Sequence, residues 1–189
     1  MTMIDAIRSC FNKYATFSGR ARRSEYWYFY LFLTLAGWAI GMIAMVILIF
    51  QAVSGSFGDI ENSDNVLETA LRIYTSPGMC IFYIWSLGTL LPQYAVLVRR
   101  LHDVGKSGWF YLFYLITIVI LYLTGIGLIG YGIGSESWST TGIGALMLLA
   151  ILGLSIYLLV LLCTDSQRGP NKYGPNPKGI GNEEPADAL

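Results

Sequence analysis

Charge is what this sequence has least of. Only 13% of its 189 residues are Asp, Glu, Lys or Arg, against roughly 25% in a soluble globular domain. The stretches 26–50, 79–98, 109–133 and 143–163 contain no Asp, Glu, Lys, Arg or His. That excludes a soluble fold, because 54% hydrophobic residues in long uncharged runs leave too little polar surface to face water. Histidine is limited to His102, and a lone histidine builds no metal centre. Cysteine is scarce too. Cys10, Cys80 and Cys163 stand far apart with no metal-ligand spacing, so free thiols packed as small apolar groups are expected. No metal, no cofactor and no catalytic constellation is expected.

What is present are spans. At ~1.5 Å per residue, each of the four runs is long enough to cross most or all of a ~30 Å hydrocarbon core. The fold expected is all-α: a polytopic membrane protein with four transmembrane helices in a bundle, preceded by an amino-terminal interfacial amphipathic helix, forming one compact domain. Residues 1–25 hold that helix and a basic lead-in, 26–163 the spans, and 164–189 a polar tail whose last ten residues are expected to be disordered. Met3, Ile4, Ile7, Cys10, Phe11 and Tyr14 recur at helical spacing in the first segment. The sequence leaves open whether this helix lies flat in the interface or docks on the bundle. Ser24 is expected to cap the first span.

Several features mark contacts within the spans. Gly37 and Gly41 form a small-xxx-small pair suited to close helix contact. Pro92 should kink the second span and free the carbonyl near Gly88. Gln93 needs a hydrogen-bond partner and is expected to find it on a neighbouring helix near the interface. The loop 51–78 is the longest and carries Asp59, Glu61, Asp64 and Glu68 against Arg72; a short surface helix is expected around Val66 to Tyr74.

The distribution of charge gives orientation. Arg8, Lys13, Arg20, Arg22 and Arg23 precede the first span, Arg99, Arg100 and Lys106 separate the second from the third, and Arg168, Lys172 and Lys178 follow the fourth. Arg72 is alone on the other side. The positive-inside rule then puts both termini and the 99–108 loop in the cytoplasm.

Three motifs lie on that cytoplasmic side: Gly19-Arg20-x-Arg22-Arg23-Ser24-Glu25-Tyr26-Trp27, then Arg99-Arg100-Leu101-His102-Asp103-Val104-Gly105-Lys106-Ser107-Gly108-Trp109, then Gly169-Pro170-Asn171-Lys172-Tyr173-Gly174. Together, over about residues 11–177, they resemble the bacterial family called domain of unknown function 805, the YhaH-type inner-membrane proteins. The resemblance implies a small multi-pass protein of the bacterial inner membrane and implies no established reaction. The long acidic outer loop is its least family-like part.

Two motif matches are rejected. Gly125-x-Gly127-x-x-Gly130 fits a dinucleotide fingerprint literally but sits inside a span, where glycines serve helix packing. Gly105-Lys106-Ser107 ends like a phosphate loop, but Arg100 stands where the earlier glycine belongs. What survives is an anion-binding reading. Ser107 and Gly108 should open the third span, whose free N–H groups favour an anion. The residues expected to hold an anion or lipid headgroup are Arg20, Arg22, Arg23, Arg99, Arg100, His102, Lys106, Ser107 and Arg168. Glu25, Asp103 and Asp165 are expected to form a structural salt-bridge network among them. His102 and Asp103 are adjacent and not expected to face each other as an acid–base pair. Spans one and three share a basic, serine-containing, aromatic lead-in, which hints at a two-plus-two repeat.

The function expected first is a membrane scaffold or binding protein whose basic cap recognises an anionic headgroup or a partner protein, with a small transporter or channel subunit as the alternative and, ranked last, a membrane enzyme acting on a phosphorylated lipid through His102 and Asp103. The partners expected are the bilayer, an anionic phospholipid, and a second copy or another membrane protein; nucleic acid is not expected.

Overall fold

A computed structural model describes residues 1–54 and 66–182. The expectations for Asp59, Glu61 and Asp64 lie outside these residues, as does most of the tail end expected to be disordered. Among the described residues there are six helices and no strand: α1 (Met3–Asn12), α2 (Arg23–Val53), α3 (Val66–Tyr74), α4 (Pro77–Asp103), α5 (Gly108–Gly134) and α6 (Trp138–Cys163). The four long ones, α2, α4, α5 and α6, are long and apolar enough to cross a membrane. The chain is a polytopic, all-helical membrane protein.

The chain divides into two compact units. One comprises Met1–Thr16 with Ser24–Ala95, the other Phe17–Arg23 with Val96–Leu189. In the first unit, α1 begins with a capping box in which Thr2 and Asp5 satisfy each other's backbone N–H groups. It is docked: Ala6 and Cys10 are fully buried. Phe11 meets Phe29 and Phe32 of α2 edge-on at 5.5 and 6.3 Å, and Ser9 Oγ donates to Glu25 at 3.0 Å. Its outer face keeps Ile4 exposed, so the same helix can also meet an interface. Tyr14, just past its end, donates its hydroxyl to the Gly88 carbonyl at 2.6 Å. That is the carbonyl deprived of its helical partner by Pro92, which has no N–H.

Two expectations in this unit are corrected. Ser24 does not cap α2, because the helix already starts at Arg23 and the Ser24 hydroxyl faces the Met1 sulfur at 3.9 Å. Gly37 and Gly41 do not bring helices together: a Cβ at Gly41 would meet nothing within 4 Å, and one at Gly37 only the Trp85 indole nitrogen at 3.6 Å. The short helix α3 forms as its amphipathic spacing requires, with Arg72 bonded to Glu68 at 2.7 Å one turn earlier.

In the second unit, α5 and α6 pack against each other. They cross at glycines. A Cβ on Gly144 would lie 2.6 Å from the Gly125 carbonyl oxygen, and one on Gly125 would lie 3.2 Å from that of Gly144. Gly127 and Gly130 face open space, so only the first glycine of the fingerprint-like run takes part in this contact. The 99–108 loop is shorter than expected, since α4 continues to Asp103 and only residues 104–107 connect it to α5. Arg100 pairs with Asp103 one turn on, and Leu101 is fully buried, so these residues extend the helix.

Candidate functional site

The polar centre of the second unit is a cap built from the lead-in 17–23, the end of α4, the 104–107 connection and the tail. It forms because two helices end there. An α-helix leaves its last carbonyls without intrahelical donors, and those of both α4 and α6 must be satisfied.

The end of α4 is closed by backbone and tail. Gly105 adopts φ +78°, a left-handed conformation that glycine enters without a Cβ penalty. It turns the chain so that the Lys106 N–H reaches the Leu101 carbonyl at 2.9 Å and the Gly105 N–H that of His102 at 3.1 Å. The tail adds Gln167 N–H to the Asp103 carbonyl at 3.1 Å and the Asn171 side-chain amide to the His102 carbonyl at 3.0 Å. The lead-in adds Ala21 N–H to the Arg99 carbonyl at 3.0 Å.

The end of α6 is closed by arginines. Arg100 Nε donates to Leu162 O at 3.1 Å, and a terminal nitrogen donates to Thr164 O. Arg23 donates to Cys163 O at 3.2 Å. Cations at a helix carboxyl end also oppose the negative end of its dipole.

Asp103 lies at the centre, with its side chain fully buried. It accepts from Arg20 Nε at 2.9 Å, from Ser166 Oγ at 2.5 Å and from Arg100. Arg20 extends further, to the carbonyls of Gly169 at 2.9 Å and Gln167 at 2.7 Å. Arg22 grips the Pro177 carbonyl, its Nε at 2.6 Å. His102 stacks flat on Tyr173, with ring centroids 3.8 Å apart and planes 5° apart. Its Nδ1 lies 3.1 Å from the Gly19 carbonyl. A carbonyl only accepts, so this nitrogen carries the proton.

Asp165 is exposed. It binds Lys178 at 2.5 Å and Arg23 at 3.1 Å. The hydrogen bond from Lys178, then that from the Ser166 N–H, holds its carboxyl below the ordinary value of 3.8.

The structure thus gathers Arg20, Arg22, Arg23, Arg100, His102, Asp103 and Asp165 into one network. Arg99 is buried on α4. Glu25 faces α1 in the other unit, accepting from Ser9 and, at 3.9 Å, from Cys10 Sγ. Ser107 occupies the position before α5, as its sequence suggests, and makes no side-chain capping bond. Lys106 lies 5.7 Å over the Phe110 ring. Arg168 is exposed, next to Gln167, which packs over Gly105.

Sequence reasoning missed Ser166, Gln167, Asn171, Tyr173 and Asn176. Their signal was the density of Asn, Pro and Gly in the tail, which marks a chain folded by turns. Asn171 and Asn176 each accept from the N–H two residues on, at 2.9 and 2.8 Å.

Among the described residues no group of three His, Cys, Asp or Glu could hold a metal. His102 and Asp103 point to different partners, so this pair is not arranged for proton transfer to a shared substrate.

No solved structure matches the chain. It is 28% identical over 171 residues to the inner membrane protein YhaI of Escherichia coli K12, covering 90% of this chain and 92% of that one. It is 27% identical over 165 residues to the inner membrane protein YhaH of the same strain, covering 87% and 89%. The family model described as protein of unknown function, DUF805, matches residues 14–175. With residues of all three motifs meeting in one cap and this match along most of its length, the chain belongs to the DUF805 family.

Proposed function

We propose that this chain is a multi-pass binding protein of the bacterial inner membrane, with both termini in the cytoplasm, and that its cap recognises anionic lipid headgroups. The observation that carries the reading is the division of labour among the cap's cations. Arg20, Arg22, Arg23 and Arg100 are committed to carbonyls and carboxylates of the chain itself. They build the platform and do not offer it. Lys106 and Arg168 make no ion pair among the described residues; Lys106 lies in the connection that opens α5, and Arg168 follows Gln167, which packs over Gly105 of that connection. The Ser107 hydroxyl makes no capping bond to the first N–H groups of α5, of which Phe110 N–H bonds the Ser107 carbonyl at 3.1 Å. A phosphate at that place meets unpaired cations and a helix amino end together. The headgroup contacts are therefore assigned to Lys106, Ser107 and Arg168, and the arginines to structure.

The test is lipid retention in native mass spectrometry from nanodiscs holding equal phosphatidylglycerol and phosphatidylethanolamine. The wild type should keep the anionic lipid preferentially. Lys106→Ala with Arg168→Ala should reduce that preference several-fold without moving the unfolding midpoint. Equal retention of both lipids by the wild type, or an unchanged preference in the double variant, refutes the reading.

A further inference from the structure

A groove runs between α2 and α4 within the first unit, lined by none of the cap residues. Its volume is about 400 Å³, and Tyr30, Gly37, Trp85 and Gln93 are among the residues lining it. It continues over Gly37 and Gly41 into a second, apolar hollow of about 590 Å³ that reaches Met45.

The polar groups of the groove are not equivalent. Thr34 and Thr89 return their hydroxyls to carbonyls of their own helices, Tyr30 at 2.9 Å and Trp85 at 2.8 Å. The side chains of Tyr30, Ser86 and Gln93 have no hydrogen-bond partner among the described residues; Gln93, exposed on the chain by itself, alone of the three carries an amide. Within a span an amide left without a partner is strongly unfavourable, so a ligand that brings a hydrogen-bonding group to the level of Gln93 is favoured in this groove.

The polarity is ordered along the helices. Gln93 lies ten residues before the end of α4 at Asp103, and Tyr30 lies seven residues after the start of α2 at Arg23. Thr34, Ser86 and Thr89 follow, and past them Trp38, Gly41, Met42 and Met45 make the lining apolar; from Tyr30 to Met45 the α2 face runs ~22 Å. A polar group near one end and a long apolar run beyond it match a lipid that stands in one leaflet. The floor at Gly41 is open. Trp38, Met42 and Met45 stand exposed around it, walling a slot wide enough for a flexible hydrocarbon chain.

We propose that this groove binds one diacyl glycerophospholipid, with an ester carbonyl accepting a hydrogen bond from the Gln93 amide and one acyl chain lying over Gly37 and Gly41. The contact reads the ester and not the headgroup. It is independent of the cap.

The experiment compares a diester phosphatidylethanolamine with its diether analogue, same headgroup and same chains, competing for the purified full chain in native mass spectrometry. The wild type should prefer the diester by up to about tenfold, as one hydrogen bond in a dry site allows. Gln93→Leu should abolish the preference. Gly41→Leu, which fills open space, should reduce retention of both lipids while the thermal midpoint stays unchanged. Three results would overturn the proposal: no diester preference in the wild type, a preference that persists in Gln93→Leu, or a dimer that Gln93→Leu converts to monomer with lipid retention unaltered. The last would assign Gln93 to a contact between copies.

Discussion

Asp103 is the residue on which the cap depends. It is completely buried and receives two guanidinium groups and a hydroxyl. A buried carboxylate is tolerable only while so matched, and breaking such a set from one side leaves uncompensated charge. Asp103→Asn keeps the shape, but its amide nitrogen is a donor placed against donors. The expected loss is about 3–5 kcal/mol, read as a lower denaturant midpoint in detergent at neutral pH. Asp165 is the contrast. It also binds two cations, yet it is exposed, where ion pairs contribute little. Its carboxyl is held below 3.8, first by Lys178 and then by the Ser166 N–H. A depressed carboxylate stabilises the fold above its ordinary value, and that contribution fades as pH falls through the lower folded one. Because Asp165 is exposed, that contribution is small, and Asp165→Asn should lower the neutral-pH midpoint far less than Asp103→Asn does. A wild-type midpoint for Asp103→Asn would remove the network from any structural role.

At the scale of elements, what could be read in advance was whatever depends on residues close in sequence. The four spans, α1 and α3 follow from hydrophobic period and from runs without charge. The docking of α1 did not follow, because an amphipathic stripe looks the same whether it meets lipid or protein. Nor did the use of Gly37 and Gly41, since glycine spacing permits close contact without naming the neighbour. Pro92 shows how far local logic reaches. Its missing N–H predicts an unfilled carbonyl at Gly88, and only the fold reveals that Tyr14 fills it at 2.6 Å. That gives a double-mutant test. Tyr14→Phe should cost about 1 kcal/mol in the wild type. In a Pro92→Ala background the helix regains its own donor, and Tyr14→Phe should cost nothing. The coupling of about 1 kcal/mol is the signature of one shared carbonyl; additive effects of the two substitutions in detergent unfolding would refute it.

Across the whole molecule, the proposed orientation and the observed cap use the same charges at different moments. The positive-inside rule acts on the chain as it inserts, when loop cations are still hydrated. In the folded protein Arg20, Arg22, Arg23 and Arg100 have turned inward onto carbonyls and Asp103. The sequence count could therefore suggest topology while overstating the number of cations left to bind a ligand. That is also why the site was only half legible: the basic motifs announced a polar centre, but their partners are backbone oxygens, which every residue has and no motif marks. Arg72, alone beyond the first span, is paired with Glu68 at 2.7 Å and opposes this orientation weakly. A reporter active only in the cytoplasm, fused after residue 60, should be silent, and fusions at residues 106 and 182 should be active. Activity at 60 with silence at 106 would invert the protein and place the cap on the periplasmic face.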